Sequence, residues 1–273
     1  MDKQEKYLEE LLQKAANEPA YRPVFLEKLL NGHVYCLGTT DTQQHNRHGL
    51  VELQQGDHIY LSKWQNHEGR SIVPFFLSVD SLSKAIEQQE SYLRLSTREL
   101  FDITLGDHLM LNPNLPYGKE FIPEEIKSLL QQGSVGATEQ FVTEEDTQVL
   151  LGQPSQYPDQ MVEQLNKFFQ QHSEIEKAYL ALMHNPARDE KPVLVVGVLF
   201  NIAERNQTLI NQIGQVAYDS LGEIVDIFMI DPQESSGLSG YMFETEPFYQ
   251  RQMKKRGFFA QFFSKKIMQD NSL

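Results

Sequence analysis

The chain has a single cysteine, Cys36, which excludes an internal disulfide and any zinc or iron–sulfur site built from several thiolates. It lacks a long hydrophobic run: the longest, Val193 to Phe200, falls far short of the ~20 residues that a membrane helix needs. Integral membrane association is therefore not expected. Basic residues are scarce, 24 Lys and Arg against 38 Asp and Glu, for a formal net charge of −14. Such a balance disfavours nucleic acid as a partner, because phosphate backbones reward basic surfaces. The first residues, Met1 to Lys6, carry no apolar signal stretch, and the expected address is the cytoplasm. What remains is a chain of 273 residues, 40% hydrophobic and 23% charged, with core material for one large or two ordinary domains.

The charge is unevenly placed. Residues 247–273 hold Arg251, Lys254, Lys255, Arg256, Lys265 and Lys266 against the single acid Asp270, so a basic end follows a strongly acidic body. Such asymmetry steers a partner or draws the tail back onto its own body.

Periodicity predicts helices in the first half over Tyr7–Ala16, Arg22–Leu30, Asp80–Gln89, Thr97–Leu105 and Pro123–Leu130. Pro23 and Pro123 fall in first turns, where a missing N–H costs nothing. Strands are expected at His33–Leu37, Ile59–Leu61, Ser71–Phe76, Tyr92–Leu95 and His108–Leu111, with Asn66–Gly69 turning between the second and third. Residues 39–57 read as a surface loop. The polar, Gly- and Pro-bearing stretch 132–158 holds a possible short strand at Gln148–Leu151 and marks a domain boundary near Gly152-Gln153-Pro154. Beyond it come a helix, Asp159–Gln171, strands Lys177–Met183 and Pro192–Phe200, a helix, Gln207–Leu221, and a strand, Ile224–Ile230. The unbroken Val193-Leu194-Val195-Val196 suits a strand covered on both faces. The fold class is α+β, two α+β domains over 1–150 and 158–273, each a small mixed or antiparallel sheet covered by helices.

Catalytic motifs are missing. Gly118-Lys119 is followed by Glu120 rather than a hydroxyl, and no glycine loop precedes it, so a P-loop fails. There is no G-x-G-x-x-G, G-x-S-x-G or H-E-x-x-H. Cys36, His45 and His48 offer three metal ligands, but no fourth is evident and a solvated polar loop is the preferred reading. Cys36 itself sits mid-strand, where a lone thiol behaves as a small hydrophobe. No metal, cofactor or catalytic residue is expected.

Three segments stand out as candidate binding surfaces. In Leu115 to Ile126 (L-P-Y-G-K-E-F-I-P-E-E-I), Pro116, Gly118, Lys119 and Glu120 form a turn before a helix start whose amides could hold an anion. Glu124 and Glu125 oppose an anion there, and a structural turn is the preferred reading. Pro74, Phe75 and Phe76 lie in a strand whose proline points to an edge or bulge, a place where partners add. Phe248, Tyr249 and Arg251 open an aromatic, basic terminal segment. It is read chiefly as a helix burying Phe258, Phe259, Phe262 and Phe263 on the second sheet, with partner or membrane-surface docking as alternatives.

Taken together, Leu11 to Phe25 (L-L-Q-K-A-A-N-E-P-A-Y-R-P-V-F), Ser71 to Phe76 (S-I-V-P-F-F), Leu115 to Ile126 and Pro247 to Arg251 (P-F-Y-Q-R) resemble the enhanced serine sensitivity (SseB) family. The resemblance spans nearly the whole chain. It implies an N-terminal and a C-terminal SseB domain and a link to serine sensitivity, with no catalytic residue to carry over. The long loop at 39–57 and the phenylalanine-rich end depart from it. The functional expectation is a non-enzymatic cytoplasmic binding or regulatory protein with a protein partner or a homo-oligomeric state. The alternatives are a small-molecule enzyme using Lys119 and Glu120, or an acidic immunity-type protein that neutralises a basic partner.

Overall fold

A computed structural model describes residues 2–41, 49–51, 56–133, 149–186, 190–201 and 207–252. Its first half runs α1 (Lys3–Asn17), a 3-10 turn (Pro19–Tyr21), α2 (Arg22–Leu30), β1 (His33–Thr40), β2 (Gly49–Val51), β3 (Ile59–Leu61) and β4 (Trp64–Gln65). It continues with β5 (Ser71–Phe76), α3 (Val79–Ala85), β6 (Ser91–Ser96), α4 (Thr97–Ile103), β7 (His108–Leu111), β8 (Lys119–Phe121) and α5 (Pro123–Gln132). The second half holds β9 (Leu150–Gly152), α6 (Asp159–Gln170), β10 (Ile175–His184), β11 (Val193–Phe200), α7 (Gln207–Leu221), β12 (Asp226–Met229), α8 (Gly237–Phe243) and β13 (Tyr249–Gln250).

Helix α1 starts because Asp2 and Glu5 satisfy each other's backbone donors in a capping box. Its stripe of Leu8, Leu11, Leu12 and Ala15 is buried, and Pro19 stops it. The first sheet has the order β2-β6-β1-β5-β7-β8, with β3 added to β1 and β4 to β5. It is mixed: β5 and β7 run parallel, whereas β1 pairs antiparallel with β5 and β6. Helices α1, α2, α4 and α5 cover one face, around Phe25, Phe75, Phe101 and Phe121. A smaller cluster of Tyr35, Leu37, Phe76 and Leu82 covers the other.

The second sheet, β12-β11-β10-β13 with β9 on β10, is built on the antiparallel pair β10–β11, with β12 parallel to β11. Along β11, Val196 and Val198 face α6 and α7, while Val195 and Leu199 face Met242 of α8. The strand is covered on both faces, as its continuous apolar run predicts. Two α+β domains are thus what the chain builds.

Several local expectations are corrected. The Asn66–Gly69 turn joins β4, not β3, to β5; β3 pairs instead with β1. Helix α3 ends at Ala85. Strands enter the segment read as the 39–57 loop, through Thr40 of β1 and through β2. Lys119 and Glu120 lie on a strand rather than in a turn, because the chain after Gly118 pairs back on β7. Tyr249-Gln250 is a strand on β10 rather than part of a terminal helix. Phe258, Phe259, Phe262, Phe263 and the basic residues beside them lie outside the described residues.

Strand β5 is interior, so the edge reading of Pro74 does not hold. The proline is tolerated for a local reason. The Phe75 carbonyl accepts from Asn112 N on the β7 side, so alternation turns position 74 to the opposite side. There β4 pairs with 71–72 and β1 with 75–76, leaving residue 74 between partners. The absent N–H falls where no ladder bond is required.

The two domains meet through the 3-10 turn. Ala20 is fully buried and belongs to the core of the second domain. Its N–H donates to Gln164 Oε1 at 3.3 Å, and its carbonyl accepts from Gln171 Nε2 at 3.4 Å. Lys167 Nζ reaches Glu18 at 2.7 Å, and Arg22 of α2 pairs with Asp219 of α7 at 2.8 Å. The short A-N-E-P-A-Y-R stretch therefore anchors one domain in the helical layer of the other.

Candidate functional site

A cleft of about 370 Å³ opens between the domains. Leu12, Ala15 and Ala16 of α1 with Arg22, Phe25 and Leu26 of α2 form one wall, and Gly118, Lys119, Glu120 and Glu125 form another. Gln215 and Asp219 of α7 close it from the second domain.

The turn that delivers Lys119 is tightly specified. Asn112 and Asn114 adopt left-handed backbone, φ 49 and φ 61, a conformation asparagine tolerates better than most residues. The buried Asn112 side chain donates to Glu9 at 3.1 Å and accepts from Leu77 N at 3.3 Å, tying the turn to α1 and to the end of β5. At Gly118 an added Cβ would sit 2.7 Å from the Leu111 carbonyl oxygen, so the chain passes too close for any side chain. Tyr117 accepts from Gln13 at 3.3 Å, a second tie to α1.

Each cation on the wall sits over a deeper carboxylate. Lys119 Nζ pairs with Glu125 at 2.7 Å, with side-chain exposures of 35% and 13%. It also donates to the Glu120 carbonyl at 3.3 Å and lies 4.7 Å from the Phe121 ring centre. Arg22 pairs with Asp219 with exposures of 39% and 13%, while its Nε donates to the Ala15 carbonyl at 3.1 Å. Glu120 engages away from these pairs, with His108 Nδ1 at 3.0 Å and Arg70 at 3.3 Å. Asp219 and Glu125 are the deeper members of their pairs, while Glu120, 36% exposed, is as open as Lys119 and is held by His108 and Arg70.

Of the residues singled out in the sequence, Gly118, Lys119 and Glu120 line this cleft, whereas Pro116 is exposed on the turn and does not. Phe75 and Phe76 are fully buried on opposite faces of β5. Phe75 packs against Phe101 and Phe121, and Phe76 against Trp64. Phe248 stacks on Phe169. Tyr249 is buried, and its hydroxyl donates to the Phe169 carbonyl at 3.2 Å. Arg251 donates to the carbonyls of Phe169, His172 and Ile175. Phe75, Phe76, Phe248, Tyr249 and Arg251 lie away from the cleft lining. Cys36 is buried, which pushes its thiol well above the ordinary range. His45 and His48 lie outside the described residues, and among the described residues no His, Cys, Asp and Glu group is arranged to hold a metal.

Sequence reasoning missed Arg22, Asp219 and Gln215, since a pair closed between α2 and α7 leaves no local spacing to read. It also missed a second interdomain cavity of about 290 Å³, lined by Glu27, Arg98, His172, Glu174 and residues of α7. His172 Nε2 is buried there without a hydrogen-bond partner among the described residues. Burial holds its pKa below the usual histidine value; Arg251 adds to the effect, and Glu174 and Glu27 oppose it.

The fold and cleft define a two-domain α+β protein whose helical layers enclose a charged, apolar-floored groove. Family comparison agrees with that division. The SseB protein N-terminal domain matches residues 8–128 and the SseB protein C-terminal domain matches residues 143–251. The chain is 32% identical over 247 residues to Protein SseB of Escherichia coli (strain K12), covering 89% of this chain and 92% of that protein. The same values hold for Protein SseB of Shigella flexneri. This chain belongs to the SseB family. No solved structure matches it. No helix among the described residues is long and apolar enough to cross a membrane.

Proposed function

We propose that this chain is a non-enzymatic, cytoplasmic binding or regulatory protein that acts through a protein partner, with the link to serine sensitivity that its family implies. The pairing of charges in the cleft supports this reading most directly. Arg22 with Asp219, Lys119 with Glu125, and Glu120 with His108 and Arg70 are engaged with one another. The two deeper carboxylates, Asp219 and Glu125, lie under their own counter-ions, an arrangement that suits architecture and recognition. The acidic body and basic end provide long-range steering for a protein encounter.

The test is recovery of the intact chain from native lysate followed by size exclusion and mass spectrometry. One protein co-eluting in fixed stoichiometry, from wild type and from a Glu120→Gln variant alike, is the expected result. Absence of such a partner, together with turnover of a metabolite that Lys119→Ala and Glu120→Ala abolish, would establish the enzyme reading in its place.

A further inference from the structure

We infer that the interdomain cleft binds a small monocarboxylate bearing a short aliphatic chain. The volume of about 370 Å³ falls within the range of small-molecule sites, roughly 300–1,000 Å³. Its floor is apolar: Leu12, Ala15, Phe25 and Leu26 are all buried side chains of α1 and α2. Water resting on such a floor finds few partners, and an alkyl chain displaces it favourably.

The mouth fixes the head group. Asp219 and Glu125 are the deeper members of their pairs, Arg22 and Lys119 lie outside them, each about three times as exposed, and the third lining carboxylate, Glu120, is turned to His108 and Arg70. Arg22 engages its Nε with Ala15 and its Nη1 with Asp219, which leaves its Nη2 donors without a partner among the described residues. Lys119 is ion-paired with Glu125 and donates to the Glu120 carbonyl, which leaves at least one of its three donors for a ligand. An entering carboxylate therefore meets charge-assisted donors from both cations, and its chain descends onto the floor. An α-amino acid would bring an ammonium beside the two cations, where the lining carboxylates Asp219, Glu125 and Glu120 are already engaged by Arg22, Lys119, Arg70 and His108. A neutral amide would forgo the ion pairing, and acetate would leave the floor bare. Gln215 of α7 lines the cleft beside these first-domain groups, so an occupant touches both domains and stabilises the assembled chain.

The experiment is calorimetric titration of the intact protein with 4-methylpentanoate, beside 4-methylpentanamide, leucine and acetate. Saturable one-to-one binding by 4-methylpentanoate is expected, with each of the other three at least tenfold weaker. Lys119→Gln should weaken binding about tenfold, the loss of one charge-assisted contact. Arg22→Gln also removes a link between domains, so Ala16→Phe is the decisive variant. Ala16 is exposed at the cleft rim, and a phenyl ring there fills the groove without entering the core. It should abolish binding and leave the melting temperature unchanged. No saturable binding up to about 10 mM, equal binding by the amide or leucine, or undiminished binding by Ala16→Phe would overturn the inference. None of these results bears on recovery of a stoichiometric protein partner, so the two proposals fail separately.

Discussion

Arg251 provides a direct test of whether the P-F-Y-Q-R segment is architecture or a recognition surface. Helix α6 ends at Gln170, where the N–H groups of Gln171 and His172 turn back onto the Phe168 and Phe169 carbonyls, each oxygen keeping room for a second donor. Arg251 adds side-chain donors from outside, one in the last turn and two just past it: Nη2 donates to Phe169 at 2.7 Å and to His172, while Nε donates to Ile175 at the start of β10 at 2.9 Å. A positive charge at that position also matches the negative end of the helix dipole. Replacing Arg251 by Met keeps most of the stem and removes every donor. Hydrogen bonds to charged groups contribute ~1.5–3 kcal/mol each, but the site is half-buried and water can replace part of them. The expected loss is about 2–4 kcal/mol, or roughly 5–15 °C in melting temperature for a chain of this size. Urea and thermal unfolding followed by circular dichroism measure it, and Arg251→Lys should recover only part, since an ammonium cannot span three carbonyls with a planar fork. A loss below about 1 kcal/mol for Arg251→Met would refute the capping argument and return the segment to the list of recognition surfaces.

Three further outcomes are expected. His172 has a folded pKa below its ordinary value of 6.5, so below that pH the unfolded chain binds the extra proton and stability falls as pH drops. Unfolding free energies measured at about pH 7 and 5 should differ less in His172→Phe than in wild type, and equal differences would exclude this residue as a source. Gly118→Ala should cost about 1–3 kcal/mol, because its Cβ would meet the Leu111 carbonyl at 2.7 Å; hydrogen exchange should quicken in β8 first. Ala20→Asp places an uncompensated charge in the core of the second domain, a loss of about 3–5 kcal/mol, and should split urea unfolding into two transitions as the domains uncouple. A single transition at the wild-type midpoint would show that the 3-10 turn does not couple them.

How much of the fold was legible depended on where each element obtains its stability. Helices α2 and α7 were read to their end residues, since Pro23, Gly32 and the stripe of Leu209, Ile213 and Val216 are local signals. Strands β5 and β7 were equally plain. By contrast β8, β13 and β2 have three residues or fewer and lack an apolar run like the Ile-Tyr-Leu that marks the equally short β3. They exist because a neighbour is already in place: β7 for β8, β10 for β13, β6 for β2. Helix α8 carries two glycines in seven residues and forms on the far face of the second sheet, where Met242 fills the space above Gly197. Its propensity argues against it, and packing decides.

The same division governs the site. Gly118 and Lys119 could be picked out because proline, glycine and a charge fall together, and the tight passage at Leu111 explains why the turn reads as unusual. Pro74 and Arg251 looked unusual for related reasons. One is a proline lodged between two ladder partners, and the other is an arginine closing a helix end. In each case the distinctive residue answers a backbone constraint, and distinctiveness in a single sequence reports geometry before it reports function. Arg22 carries no such mark, standing as one more polar residue at the head of a helix, with its partner on α7 in the other half of the chain. Yet once Pro74, Phe75, Phe76, Phe248, Tyr249 and Arg251 are assigned to the core and its caps, Arg22 and Lys119 hold spare donors at the edge of an apolar cavity. Function in this fold is therefore best sought in donors that the architecture leaves over, and for Arg22 that surplus becomes visible only when both domains are assembled.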